Sequence, residues 1–170
     1  MQAVTNRPIR LLGDAVLRTA CDPVTSFDQS LRDLVADLMD TVTGGDGRAA
    51  VAAPQIGVSL RVFAYATGGK EGHVVNPRLV VGEQRQTDDE GCLSLPGLYF
   101  PTPRAKLCTA HGFDQDGNPI VVEGTGILAR ALQHEYDHLD GTLYVDTLRG
   151  DTRRQALRAI RAAPWAAPTR

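Results

Sequence analysis

Residues 133–138, Gln-His-Glu-Tyr-Asp-His, are the stretch on which both the fold and the chemistry of this 170-residue chain depend. Positions i and i+4 of a helix lie one above the other on one face, so His134 and His138 can point at the same ion. Glu135 lies one residue's rotation around the helix, where it can hold a water beside the ion without binding the ion itself. The stretch therefore predicts a helix that carries a catalytic metal.

The residues around this stretch predict where the helix lies in the molecule. Gly124 and Gly126 are predicted to open the helix, and Gly141 is a natural stop for it. Both histidines should face the protein interior, because they share a face with small and apolar residues. The members of that face are Ile127, Ala131, His134 and His138.

The other segments predict two more helices and mostly antiparallel strands. Apolar residues at helical spacing indicate a helix over 27–42, with Ser26 and Gln29 in the positions of a capping box. The glycine run at 44–47 predicts a loop, and a thin apolar stripe among arginines indicates a last helix over 151–162. Strand character is found over 60–66, 73–81, 104–111 and 120–123, with a polar turn over 114–119.

Length and composition fit one catalytic domain over residues 1–170. Lys and Arg number 18 against 20 Asp and Glu, and the formal net charge of -2 gives no reason to expect DNA or a membrane as a partner. No apolar run approaches the ~20 residues of a spanning helix, and residues 1–10 lack the apolar centre of a signal peptide. We therefore expect a cytoplasmic protein.

The three cysteines are an odd and sparse set, unlike the disulfide framework of a secreted domain, so we expect reduced thiols. Cys21 and Cys108 are interpreted as small buried residues. Cys92 differs because it lies in Glu-Gly-Cys-Leu-Ser, residues 90–94, after an acidic stretch. A catalytic metal site needs three protein ligands and one open position, and Cys92 can supply the third ligand.

The third ligand has an alternative source, a residue downstream of the helix, as in metallopeptidases with a His-Glu-x-x-His motif. Beyond His138 the chain contains no histidine and no glutamate. The remaining candidates are the weaker ligands Asp140, Asp146 and Asp151. This composition disfavours a metallopeptidase.

Residues 48–57, Arg-Ala-Ala-Val-Ala-Ala-Pro-Gln-Ile-Gly, are a third segment of interest. Small side chains let the backbone approach a ligand closely, and Gln55 offers an N–H donor for a developing oxyanion. Taken alone, the segment is better explained as a loop packed against the core with an exposed glutamine.

Together and in this order, Val-Ala-Ala-Pro-Gln, Glu-Gly-Cys-Leu-Ser and Gln-His-Glu-Tyr-Asp-His resemble the three signature motifs of the peptide deformylases. The second and third motifs match in full. The first motif departs from the family pattern Gly-x-Gly-Leu-Ala-Ala-x-Gln, because Arg48 and Ala50 stand where glycines are expected and Val51 replaces leucine.

The resemblance implies an α+β fold in which antiparallel β-sheets pack around the central metal-binding helix, with an N-terminal and a C-terminal helix. It implies a hydrolase that removes the formyl group from the N-formylmethionine of new polypeptides. By this resemblance Glu135 would act on the water, and Gln55 and the backbone N–H of Leu93 would hold the formyl oxygen. The implied cofactor is one divalent ion, usually Fe²⁺ with Zn²⁺, Ni²⁺ or Co²⁺ as substitutes. Its ligands would be Cys92, His134 and His138.

The expected partner is an N-formylmethionyl peptide, held by an apolar side pocket and by backbone pairing along a strand edge. Candidates for the pocket by position are Ala49, Ala50, Ile127 and Ala131. Glu90 is interpreted either as a partner of Arg104 that fixes the cysteine loop or as a solvated surface acid.

Two points stay open in the sequence. A non-catalytic relative that keeps the metal and binds peptides is an alternative to an enzyme, although Glu135 and the ligands are all present. The arginine-rich end could make a transient ribosome contact, but a solvated helix face explains it better. Its arginines are Arg149, Arg153, Arg154, Arg158, Arg161 and Arg170.

Overall fold

The computed structural model describes residues 7–166 and has three α-helices and seven strands within them. The helices are α1 (Gln29–Thr43), α2 (Gly126–Leu139) and α3 (Gly150–Ala162). The strands are β1 (Ala50–Ala52), β2 (Val62–Thr67), β3 (Lys70–Val81), β4 (Arg85–Cys92), β5 (Leu95–Ala105), β6 (Leu107–Phe113) and β7 (Pro119–Thr125).

The strands form two antiparallel sheets. Five of them make one sheet in the order β1-β2-β3-β6-β7, and β4 pairs with β5 as a separate hairpin. Helix α2 packs against strands of the large sheet and against β5, so it lies between the two sheets. The expected α+β fold, with antiparallel sheets around the predicted metal-binding helix, is confirmed.

The large sheet is covered by a helix on each face near β1 and β2. Side chains alternate between faces along a strand: Phe63 packs with α2 residues such as Leu132, whereas Ala64 packs with α1 residues such as Leu38. Residues 50–52 alternate in the same way and are all buried. The small Ala-Val-Ala sequence therefore fits a short strand enclosed on both sides, where the sequence suggested a loop.

The hairpin of β4 and β5 was not predicted. Strand β4 is almost entirely polar, and β5 contains three prolines, which strands tolerate at edges. Neither strand shows the alternation of apolar residues that marks a half-buried strand. The two-residue turn between them, Leu93–Ser94, lies next to Cys92 and brings this part of the chain to α2.

Several predicted boundaries change. The segment 104–111 is two strands, because β5 ends at Ala105 and β6 begins at Leu107. Gly124 belongs to β7, so α2 begins at Gly126. At its other end α2 stops before Gly141, which has a φ of 74°, and a Cβ there would lie 2.8 Å from the backbone of Arg18. The chain can pass Arg18 closely only because this residue is glycine.

The C-terminal helix packs on β5 mainly through Ala156. The arginine just before the helix, at position 149, and those within it, at positions 153, 154, 158 and 161, are exposed. Arg170 lies outside the described residues. No helix within 7–166 is long and apolar enough to cross a membrane.

The predicted capping box of the first helix is wrong. Asp28 is the N-cap of α1, and its side chain accepts a hydrogen bond from the backbone N–H of Leu31 at 3.2 Å. Aspartate at this position satisfies a backbone donor and complements the positive end of the helix dipole, so it takes the role expected of Ser26.

We expect Asp28→Ala to lower the free energy of unfolding by about 1 kcal/mol, because the N-cap acceptor is lost. Asp28→Asn should retain most of the stability, and Ser26→Ala should leave it unchanged. Urea denaturation of the three variants measures these differences. Equal losses for Asp28→Ala and Ser26→Ala would contradict the assignment of the cap.

Candidate metal centre

Three separate parts of the chain supply the predicted site residues. Helix α2 carries His134, Glu135 and His138, because their spacing places them on its buried side. The end of β4 carries Cys92, and the following turn carries Leu93. Gln55 comes from the short 3₁₀ turn after β1.

The three predicted metal ligands lie together. Nε2 of His138 lies 3.3 Å from Sγ of Cys92 and 3.2 Å from Nε2 of His134. One donor atom from each residue lies within 4.8 Å of the others, so these three residues could hold a metal ion. A thiolate with two imidazoles suits several divalent transition metals, and the donors are close enough to bind one ion.

The charges around the two histidines favour a cation at this point. Burial opposes protonation of His134, but the neighbouring Cys92 and Glu90 raise its pKa well above the ordinary value. Burial, together with the charge of His134, holds the pKa of His138 well below the ordinary value. A metal ion binds imidazoles in their neutral form, so its binding would displace the proton from His134, whereas His138 is already neutral.

A buried carboxylate orients one of these histidines. Oε1 of Glu90 lies 2.6 Å from Nδ1 of His134, so an N–H at Nδ1 donates to the carboxylate. The lone pair of Nε2 is then left to face Cys92 and His138. Of the two interpretations of Glu90, the solvated surface acid is excluded, because its side chain is only 3% exposed.

Two arginines surround the same carboxylate. Arg104 donates from Nε at 3.0 Å and from Nη2 at 2.6 Å, and Arg130 donates from Nη1 at 2.6 Å. Arg104 also donates to Asp137 at 2.6 Å, so it spans two acids. Burial alone would raise the pKa of Glu90, but the bonds from His134 and Arg104 lower it to about 2. Glu90 is therefore ionised throughout the physiological range.

Glu135 has the opposite environment. Its side chain is buried, and Oε2 has no hydrogen-bond partner among residues 7–166. Burial raises its pKa to about 7, against the attraction of His134. A carboxyl group that changes protonation near neutral pH, beside a group of candidate metal ligands, is suited to take and return a proton.

Gln55 is buried, not exposed as the isolated motif suggested. Its Oε1 accepts a hydrogen bond from the backbone N–H of Ala52 at 2.9 Å, which fixes the amide. Its Nε2 donates to Oγ of Ser94 at 3.1 Å and lies 3.6 Å from Sγ of Cys92. The donor end of the amide therefore points toward Cys92, one of the candidate metal ligands.

A cavity of about 410 Å³ lies beside these groups. The four candidates for the side pocket, at positions 49, 50, 127 and 131, are in its wall. Ile127 is 59% exposed, whereas the other three members of its predicted helix face, including both histidines, are buried as expected. It lies in the first turn of α2 at the rim of the cavity. The other predicted site residues in the wall are Gln55, Cys92, Leu93, His134 and Glu135.

Arg48 and Ala50, which replace glycines of the first motif, both make contacts within the fold. Arg48 donates from Nη1 to the carbonyl of Thr41 at 2.7 Å, so it binds a carbonyl in the last turn of α1. Cationic side chains are favourable at this end of a helix. The methyl group of Ala50 packs in the core between α2 and the large sheet.

Several residues of the site were missed or left undecided by the sequence. The ring of Tyr144 stacks on His134 with centroids 5.8 Å apart, and its hydroxyl donates to the carbonyl of Leu98. Arg130 had one available signal, since it lies four residues before His134 on the same helix. No local pattern marked Tyr144, which reaches the site from the segment after α2.

Comparisons with known proteins find similar sequences that cover most of the chain. The family model described as "Polypeptide deformylase" matches residues 6–154. A peptide deformylase of Acidothermus cellulolyticus is 55% identical over 163 residues, which cover 96% of this chain and 90% of that protein. One from Parafrankia sp. is 53% identical, with coverage of 94% and 87%.

The fold is also similar to that of a solved relative. The crystal structure of peptide deformylase from Thermus thermophilus superimposes with a TM-score of 0.85 at 40% sequence identity. The superposition covers 92% of this chain and 93% of that one.

We expect Glu90→Gln to lower the free energy of unfolding by about 3 to 5 kcal/mol, because buried guanidinium groups lose their countercharge. Chemical denaturation of the metal-free protein measures the effect without a contribution from metal binding. Glu71→Gln, at an exposed position of β3, is the matched control and should cost less than about 0.5 kcal/mol. A loss at Glu90 no larger than at Glu71 would contradict the structural role of the carboxylate.

Proposed function

This chain belongs to the polypeptide deformylase family, and on that premise we propose how its own residues carry out the reaction. As a member of the family it is a hydrolase that removes the N-formyl group from new polypeptides. The reaction consumes one water and yields formate and a free amino terminus. The observation that carries the assignment of roles is the meeting of three metal donors with the unpartnered carboxyl group of Glu135.

We propose that Cys92, His134 and His138 hold one divalent ion. Their donor atoms lie within 4.8 Å of one another, and Glu90 orients His134 through Nδ1. Ferrous iron is proposed as the native ion, with Zn²⁺, Ni²⁺ or Co²⁺ as substitutes, since two imidazoles and a thiolate accept all of them. When bound, such an ion would lower the pKa of a water to ~7 and would polarise the formyl oxygen.

Glu135 is the proposed proton carrier. In its ionised form the carboxylate takes a proton from the water that attacks the formyl carbon. The same group then returns that proton to the leaving amine, whose bond to the formyl carbon breaks. Its buried position keeps competing water away from the carboxyl group, and its pKa near 7 suits both directions of transfer.

Gln55 and the backbone N–H of Leu93 are proposed to hold the oxygen of the formyl group as negative charge develops on it. The bond from Ala52 fixes the amide of Gln55 with its Nε2 end toward Cys92 and Ser94. A fixed donor needs no reorganisation during the reaction, and donors of this kind contribute about 3 to 4 kcal/mol in other acyl-transfer sites.

The substrate is proposed to lie in the 410 Å³ cavity as an extended N-formylmethionyl peptide. Strand β1 pairs only with β2, and β4 pairs only with β5, so each has one edge without a neighbouring strand in the described sheets. Both border the cavity, where a peptide could add backbone hydrogen bonds. Ala49, Ala50, Ile127 and Ala131 would contact its methionine side chain.

We also propose a cellular setting for the protein. A cytoplasmic location fits a protein that acts on new polypeptides, and residues 1–170 are proposed to form one domain. The exposed arginines of α3 fit a transient ribosome contact and fit an ordinary solvated surface equally well.

The function is tested by formate release from formyl-Met-Ala-Ser with anaerobically prepared, iron-loaded protein. We expect Glu135→Gln to lower the turnover rate by about 10²- to 10⁴-fold, because proton transfer is lost. Metal content, measured by elemental analysis, should be unchanged because Glu135 is not a ligand.

Glu123→Gln, at an exposed position of β7, is the control and should keep the wild-type rate. Wild-type protein that releases no more formate than Glu135→Gln would refute the deformylase assignment. Cleavage of internal peptide bonds would indicate a metallopeptidase, and peptide binding without turnover would indicate a non-catalytic relative.

The pKa of Glu135 predicts an acid limb in kcat/KM. The carboxyl group must be ionised to accept a proton, so activity should rise as pH increases through the pKa, which burial raises to about 7. A bound cation stabilises the carboxylate, so the midpoint should lie at or below 7. A pH profile of formate release measures it. Activity that stays constant down to the ordinary range of a carboxyl group would contradict this role.

A further inference from the structure

Glu90 is bonded from two sides by arginines, and only one of them spans both of its oxygens. Arg104, on β5, contacts Oε1 through Nη2 and Oε2 through Nε. Arg130, on α2, contacts Oε2 alone, at 2.6 Å. With Nδ1 of His134 on Oε1, the carboxylate has four donors, two on each oxygen.

The second arginine also binds the backbone of the hairpin. Nη1 of Arg130 donates to the carbonyl of Thr102 at 2.8 Å in addition to Glu90. A single nitrogen thus links α2 to both strands of the hairpin, β4 through Glu90 and β5 through Thr102. The side chain is buried, so these bonds are formed away from bulk water.

The position of Arg130 couples it to the metal ligand. It lies four residues before His134, so the two side chains are neighbours on one helix face. A carboxylate that is held at Oε2 by the same helix cannot turn its other oxygen away from His134 without breaking that bond. The distance between Glu90 and His134 is thereby fixed by Arg130 of α2 as well as by Arg104 of β5.

We propose that Arg130 is a positioning residue of the metal centre, which holds Glu90 against Nδ1 of His134 and so slows release of the ion. The inference rests on the proposed metal role of Cys92, His134 and His138. Outer residues that orient a metal-bound histidine typically change metal affinity about 10- to 100-fold. Arg130 also forms part of the cavity wall, so an effect on substrate binding must be separated from an effect on the metal.

The test compares release of Co²⁺ to a coloured chelator from full-length wild-type protein, Arg130→Met and Arg130→Lys. We expect release from Arg130→Met to be about 10-fold faster or more. Arg130→Lys should fall between the two, since lysine keeps a charge near Oε2 but lacks the rigid planar group that holds one nitrogen on both Glu90 and Thr102. The visible spectrum of the cobalt protein should change in Arg130→Met, because the orientation of His134 alters the ligand field.

Arg61→Met is the matched control. Arg61 also binds α2, through the carbonyl of Leu139 at 3.1 Å and through Asp140, but it makes no contact with Glu90. Its loss removes an arginine that contacts the end of the same helix, so it should reduce stability without faster release of Co²⁺. Equal acceleration in Arg61→Met and Arg130→Met would overturn the proposal, because general loosening of α2 would then explain both.

The remaining outcomes also decide the question. An unchanged release rate and spectrum in Arg130→Met overturns the proposal, and a higher KM with unchanged release assigns Arg130 to the cavity wall instead. If Arg130→Met does not fold, Arg130→Gln is used with the same criteria. Failure of the proposed function is seen separately, as a wild-type protein that retains cobalt but releases no formate.

Discussion

The buried carboxylate of Glu90 is the group on which the arrangement of this molecule depends. It comes from the polar strand β4, yet it lies between arginines of β5 and α2 and against His134. Because an unpaired charge is costly to bury, the hairpin must dock on α2 in the one way that brings all these partners together. The same docking places Cys92 beside His138. Docking of the hairpin and assembly of the candidate metal centre therefore have a common electrostatic origin.

The other half of the site depends on packing. Helices α1 and α2 enclose β1 and β2, which leaves room only for small side chains in β1. Gln55 follows directly, and its amide is fixed by the backbone of the same strand. Its donor end meets the hairpin at Ser94. One side of the cavity is thus formed by the hairpin, which is positioned by charge pairing. The other side is formed by β1 and Gln55, which are positioned by close packing.

The sequence predicted what depends on short spacing. His134 and His138 are four residues apart, and the helix brings them together. Cys92 was predicted from its motif, but only folding brings it from β4 to that helix. The hairpin was not predicted because its strands are rich in polar residues and prolines and lack an alternating apolar pattern. The N-cap of α1 was assigned to Ser26 because serine and aspartate are both favourable at that position. Burial of Gln55 and stacking of Tyr144 arise from contacts between distant segments, which no local pattern encodes.

The two buried glutamates explain why one of them is the proposed proton carrier. Glu90 has four charged or ring N–H donors on its oxygens, and its pKa falls to about 2. Glu135 is as deeply buried but has an oxygen without a partner, and burial raises its pKa to about 7. When the environment lowers the pKa of one carboxyl group and raises that of another, the two groups have different roles. A permanently ionised Glu90 can orient His134 but cannot carry protons at neutral pH, whereas Glu135 can bind and release one there.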